Sequence, residues 1–105
     1  MRTLFDQGKP VPLRRALTAH VVSTTYEIGW GSLSNGDLLD AAEPQFDVLV
    51  TTDQNLRYQQ NLAGRRLAIL VLPFASWPKL QGHVSNIVAA IEAMTPGQYV
   101  ELTLP

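Results

Sequence analysis

The chain has 105 residues, of which 46% are hydrophobic and 16% charged, and a formal net charge of -1. A chain of this length is one domain with a modest core, and its composition is that of a folded globule, not a disordered tail. The absence of cysteine excludes a disulfide framework and thiolate chemistry, and no apolar run reaches the ~20 residues that a membrane-spanning helix needs.

In chain order, Thr3-Leu4-Phe5 is a short β-run closed by Asp6. Lys9-Pro10-Val11-Pro12 breaks the chain, and Pro12 suits the first turn of a helix through Ala19, with Leu13 and Leu17 one turn apart on its buried side. His20 to Thr24 is β-branched and predicts the second strand. Tyr26 to Asn35 is a glycine-bearing loop, and Gly36 to Ala42 is a short helix stopped before Pro44. The third strand is the clearest: Phe46 to Thr51 is nearly continuous in apolar residues, as a strand covered on both faces would be. Asp53 follows it directly after Thr52. Asn55 to Leu62 reads as a helix ending at the C′ glycine Gly64. Leu67 to Leu72 is a fourth buried strand. Ser76 caps a longer helix carrying Trp77, Leu80, Val84, Ile87, Val88, Ile91 and Met94 at helical spacing, and Tyr99 to Leu104 is an edge strand.

This alternation predicts a single domain over residues 1–105, α/β and three-layered, with a mostly parallel central sheet of four to five strands flanked by helices. With right-handed crossovers every helix runs antiparallel to the strands. The acids can then be sorted by the end of the sheet on which they fall. Asp6, Asp37 and Asp53 converge on the carboxyl end, with Glu27 and Asp40 as candidate additions, while Glu43 and Asp47 fall at the opposite end. In open α/β sheets the carboxyl end is where ligands bind.

Three carboxylates at one site repel one another, and a hard divalent cation, Mg²⁺ or Mn²⁺, is the natural compensation. Such an ion activates water and stabilises charge on a phosphodiester. For each acid a local alternative stands beside this one: Asp53 as a helix cap, Asp37 as partner of Ser34 in a capping arrangement. Charge is also unevenly spread. No Lys or Arg occurs from Ala16 to Leu56, while Lys9, Arg14 and Arg15 precede that block and Arg57 follows it, as candidate phosphate contacts. Arg65 and Arg66 fall at the opposite end, and His20 and His83 lack metal-ligand spacing.

Leu4-Phe5-Asp6, then Pro10 and Leu13-Arg14-Arg15-Ala16-Leu17, then Asn35-Gly36-Asp37-Leu38-Leu39, then Val50-Thr51-Thr52-Asp53-Gln54-Asn55-Leu56 together resemble the small PIN-like proteins grouped as DUF5615. These are similar to PIN-domain toxins of VapC type. The resemblance spans nearly the whole chain. It implies a PIN-like fold, Mg²⁺- or Mn²⁺-dependent ribonuclease activity, and a toxin role beside an antitoxin partner. Asp6, Asp37 and Asp53 match the family's acidic positions. Many relatives carry Glu where Gln7 stands and Asp where Asn55 stands; Asn55 can still offer its carbonyl oxygen to a metal, without charge. The expected partners are an RNA substrate, an antitoxin and a second copy of the chain, with no membrane. The opening residues lack the apolar stretch of a secretory signal, so a cytoplasmic protein is expected.

Two rivals compete with a nuclease. A phospho-acceptor receiver domain also places an aspartate after its third strand, but it needs paired acids after the first strand and a lysine after the last. Here Gln7 follows Asp6, and Lys79 lies in the final helix's first turns. The second rival is a catalytically weakened or inactive PIN-like module that acts by binding a partner or itself, which Gln7 and Asn55 favour.

Overall fold

The structure is a computed structural model that describes residues 1–6, 13, 15–17, 20–54, 56, 64–74 and 76–104. Five strands, β1 (Arg2–Phe5), β2 (Val21–Thr24), β3 (Val48–Thr51), β4 (Ala68–Val71) and β5 (Tyr99–Glu101), form one sheet in the order β2-β1-β3-β4-β5. Each neighbouring pair is parallel, β5 included. Helix α1 spans Asn35–Ala42, α2 Trp77–Leu80 and α3 Val84–Glu92.

The period-two alternation of the strands divides the core between two faces. Phe5, Val48, Val50, Ala68 and Leu70 pack on one side with Leu13, Leu17, Leu80, Ile87 and Ile91. Leu4, Leu49, Ile69 and Val71 pack on the other with Leu38, Leu39, Ala42 and Leu56. The domain is therefore three-layered, as the sequence predicts, and the central strands β3 and β4 are buried at every position. Leu13 and Leu17 are both buried, as their spacing requires. The helices expected over 12–19 and 55–62 lie for the most part outside the described residues. Gly64 takes a positive φ of 79°, which suits a C′ position.

One expectation is corrected. The helix expected to run unbroken from Ser76 is divided: α2 gives way to a 3₁₀ turn at Gln81–His83 before α3 begins. Gly82 sits in that turn, and a glycine inside a helix costs ~1 kcal/mol against alanine, so the tighter turn falls where helical preference is weakest. Leu80, Ile87 and Ile91 still all reach the core.

The amino ends of the strands are tied by ion pairs and backbone caps. Asp47 accepts from the Arg2 backbone N–H at 2.7 Å and from Arg66 at 3.3 Å. The Glu43 carboxylate accepts from the backbone N–H groups of Arg66 and Leu67, at the entrance to β4. Arg65 donates to Asp40 at 2.8 Å. The acids assigned to this end thus hold the fold together, as do both arginines. Asp40, considered for the opposite end, also belongs here.

Candidate site at the strand-order reversal

Sheet order reverses between β1 and β3: from β1 the chain moves outward to β2, then returns to place β3 on the other side of β1. The crevice outside the carboxyl ends of such a strand pair is where doubly wound sheets take ligands. Asp6 leaves β1 into this crevice, and Asp53 leaves β3 into it two residues after Thr51.

Thr51 joins the two. Its Oγ1 donates to Asp6 Oδ2 at 3.0 Å and accepts from the Asp53 backbone N–H at 3.2 Å. Thr51 is buried, so its hydroxyl is held by the strand and not by solvent. From the other side Asn35, the first residue of α1, donates Nδ2 to Asp53 Oδ2 at 2.8 Å. The half-buried Asp6 carboxylate is thereby held by a hydroxyl from β3 and the half-buried Asp53 carboxylate by an amide from α1, while Thr51 also holds the Asp53 backbone. The N-terminal end of α1 adds a favourable dipole for the Asp53 charge.

Asp37 stands at the expected end of the sheet but apart from this pair. It is exposed in the first turn of α1, and its backbone N–H donates to Ser34 Oγ at 3.3 Å, the capping arrangement its spacing allows. Among the described residues no three acidic or histidine side chains are grouped to hold one ion. Glu27 is occupied elsewhere: it accepts from the Thr24 backbone N–H at 3.0 Å while its own N–H donates to Thr24 Oγ1 at 3.1 Å. This reciprocal capping box closes the turn after β2. Arg15 is exposed. Lys9, Arg14, Asn55 and Arg57, with Gln7, lie outside the described residues. Thr51 and Asn35 are the two members that sequence reasoning did not single out.

The donor chemistry suits a hard cation. The carboxylates of Asp6 and Asp53 offer oxygen donors only, and Mg²⁺ is commonly held by one or two carboxylates with water completing its shell. Beside Asp53, Gln54 lines a cavity of ≈ 200 Å³ with Pro73, Glu101 and Thr103, on the β4–β5 side of the same end. Gln54 Nε2 donates to the Pro73 carbonyl at 3.2 Å and forms its wall. A second cavity of ≈ 230 Å³ lies at the amino ends, lined by Met1, Asp47, Arg66 and Met94 among others. Its charged groups Asp47 and Arg66 are bonded to each other, and its position is opposite the crevice, so it is not the candidate site.

The same strand order is used by receiver domains among many doubly wound folds, so residues must separate the readings. Leu102, Thr103 and Leu104 follow β5, where a receiver needs its lysine. Lys79 instead lies with its Nζ 5.8 Å from the centre of the Phe74 ring. Comparison of the chain with protein-family models, with curated proteins and with solved structures gave no match. Fold and crevice define a doubly wound α/β domain with a carboxylate pair at its switch point. Among the described residues no helix is long and apolar enough to cross a membrane.

Proposed function

We propose that the protein is a metal-dependent ribonuclease of PIN-like type, with Asp6 and Asp53 as its metal-holding pair. The observation that supports this reading is the Asp6–Thr51–Asp53 bridge across the carboxyl ends of β1 and β3. A bound Mg²⁺ or Mn²⁺ supplies water activation and stabilises charge on the phosphodiester. The chain's own contribution is positional. Thr51 holds the Asp6 carboxylate and the Asp53 backbone N–H, and Asn35 holds one oxygen of the Asp53 carboxylate. A cavity beside Gln54 opens at the same end of the sheet. Lys9, Arg14, Arg15 and Arg57 remain the candidate phosphate contacts. The toxin role and an antitoxin partner rest on the family resemblance, and a small DNA-binding protein in the adjacent reading frame would support them.

The second reading, a partner-binding module of weakened activity, is favoured by one feature. The side chain in contact with Asp53 from α1 is a neutral amide, and Asp37 is capped at the surface. Cleavage of single-stranded and structured RNAs with Mn²⁺, measured for wild type and Asp53→Asn, separates the two. Cleavage by wild type that is lost in Asp53→Asn supports the nuclease. No cleavage by wild type supports the binding module, and equal cleavage by both proteins identifies a contaminating nuclease.

A further inference from the structure

We propose that Asn35 is the residue that α1 contributes to the switch-point site, as a positioning residue, and that its amide keeps Asp53 in place without a cation. This rests on the reading of Asp6 and Asp53 as the functional pair, and it assigns the helix's contribution to position 35, not to position 37.

The geometry is specific. Asn35 is the first residue of α1, immediately after the Ser34 cap, and its Nδ2 lies 2.8 Å from Asp53 Oδ2. The amide orientation follows from chemistry: the reverse orientation would set a carbonyl oxygen against a carboxylate, two acceptors with no proton between them. A donor to an ionised oxygen is worth roughly twice a neutral hydrogen bond. Asp37, two positions further along α1, is exposed and its N–H is spent on the helix cap. Its exposed carboxylate stands in the first turn of the helix, where an acid is favourable on dipole grounds alone.

The consequence is a change in what holds the site together. With aspartate at position 35, two carboxylates from α1 and β3 would meet at hydrogen-bond distance, and a cation or a shared proton would be needed to relieve their repulsion. With asparagine, the α1–β3 contact is closed by a neutral donor. Cation binding is then not needed to assemble the pair, and fewer charges attract the ion. This makes residue 35 the setting for how strongly the site binds an ion.

Thermal melts of five proteins test this: wild type, Asn35→Asp, Asp53→Asn, the exchange Asn35→Asp/Asp53→Asn, and Asp37→Asn, each with EDTA and with MnCl₂. In EDTA, Asn35→Asp is expected to melt lower by roughly 4–8 °C, the shift that one kcal/mol gives a domain of this size. The exchange variant, which restores one amide and one carboxylate across the contact, is expected to recover most of that loss. MnCl₂ is expected to raise the melting temperature of Asn35→Asp more than that of wild type, while Asp37→Asn follows wild type in both conditions. If Asn35→Asp does not fold in EDTA, a folded exchange variant supports the proposal and an unfolded one overturns it. The proposal is also overturned if Asn35→Asp melts like wild type in EDTA, if the exchange recovers nothing, or if Asp37→Asn abolishes the MnCl₂ shift. None of these readouts uses RNA. A wild type that cuts no RNA overturns the nuclease reading and leaves this melting pattern intact, whereas an unchanged pattern overturns the role of Asn35 alone.

Discussion

Thr51 Oγ1 donates to Asp6 Oδ2 at 3.0 Å, so the last residue of β3 holds the residue that closes β1. The same oxygen accepts the Asp53 backbone N–H, and one buried hydroxyl thereby ties the Asp6 carboxylate to the backbone that carries Asp53. Valine is nearly isosteric with threonine and keeps the strand preference, so Thr51→Val isolates the hydroxyl. It leaves two partly buried polar groups without their partner, at a cost of about 1–3 kcal/mol. The expected outcome is a folded protein with a lower urea midpoint and, on the proposed ribonuclease function, at least tenfold slower RNA cleavage with Mn²⁺. Thr51→Ser, which retains the hydroxyl, is expected to keep most of the activity.

Much of this arrangement is legible in the residues themselves. Val48, Leu49 and Val50 are apolar on both sides of the alternation, and such a run has no solvent face to offer, so it belongs in the middle of a covered sheet. Chain direction then sorts the acids. It places Glu43 and Asp47 at the amino ends, where they cap β4 and pair with Arg66. Thr51 carries a signal too: it is the one polar residue in an otherwise apolar buried strand, and it stands at the end nearest the crevice. Asn35 carries none. Which side chain of a helix's first turn meets the next strand depends on how the helix docks, and that angle is a tertiary property. The spacing of Asp37 from Ser34 fits both a site and a cap, and the structure shows the cap. The 3₁₀ turn at Gln81–His83 is signalled only by Gly82, because the apolar spacing on either side reads as one helix.

Acid is expected to weaken the opposite end of the sheet. The Arg2 backbone N–H donates to Asp47 and holds its carboxyl below the usual range; partial burial works against this, and the Arg66 side chain and the Arg2 and Arg66 charges add to the lowering. A folded-state value below that of the unfolded chain gives a stabilisation that is complete above the unfolded value of about 3.9 and is lost as pH falls through the folded one. Asp47→Asn is expected to lower the urea midpoint at neutral pH and to flatten its decline below about pH 4. The check is a series of urea melts across the acid range. Asp47 is partly exposed, so the effect at neutral pH is expected to be small.

Gly97 is expected to tolerate no side chain. Its φ is +77°, and a Cβ there would lie 2.7 Å from the Arg65 carbonyl oxygen, a backbone atom that cannot swing aside. Its N–H also donates to the Arg66 carbonyl at 2.7 Å, which fixes the turn leading into β5. Gly29 has φ +79° with nothing within 4 Å of the same position. Gly29→Ala should therefore show the conformational cost alone, of order 1 kcal/mol, and Gly97→Ala more than that. Urea denaturation of the two variants side by side measures the difference.

Anomalous diffraction at the manganese edge, from crystals grown with MnCl₂, tests most directly whether the carboxylate pair holds a cation. The expected result is a peak between Asp6 and Asp53 that disappears in Asp53→Asn crystals. No peak in the crevice, or one only at the Glu43–Asp47 end, would contradict a cation site at the carboxylate pair.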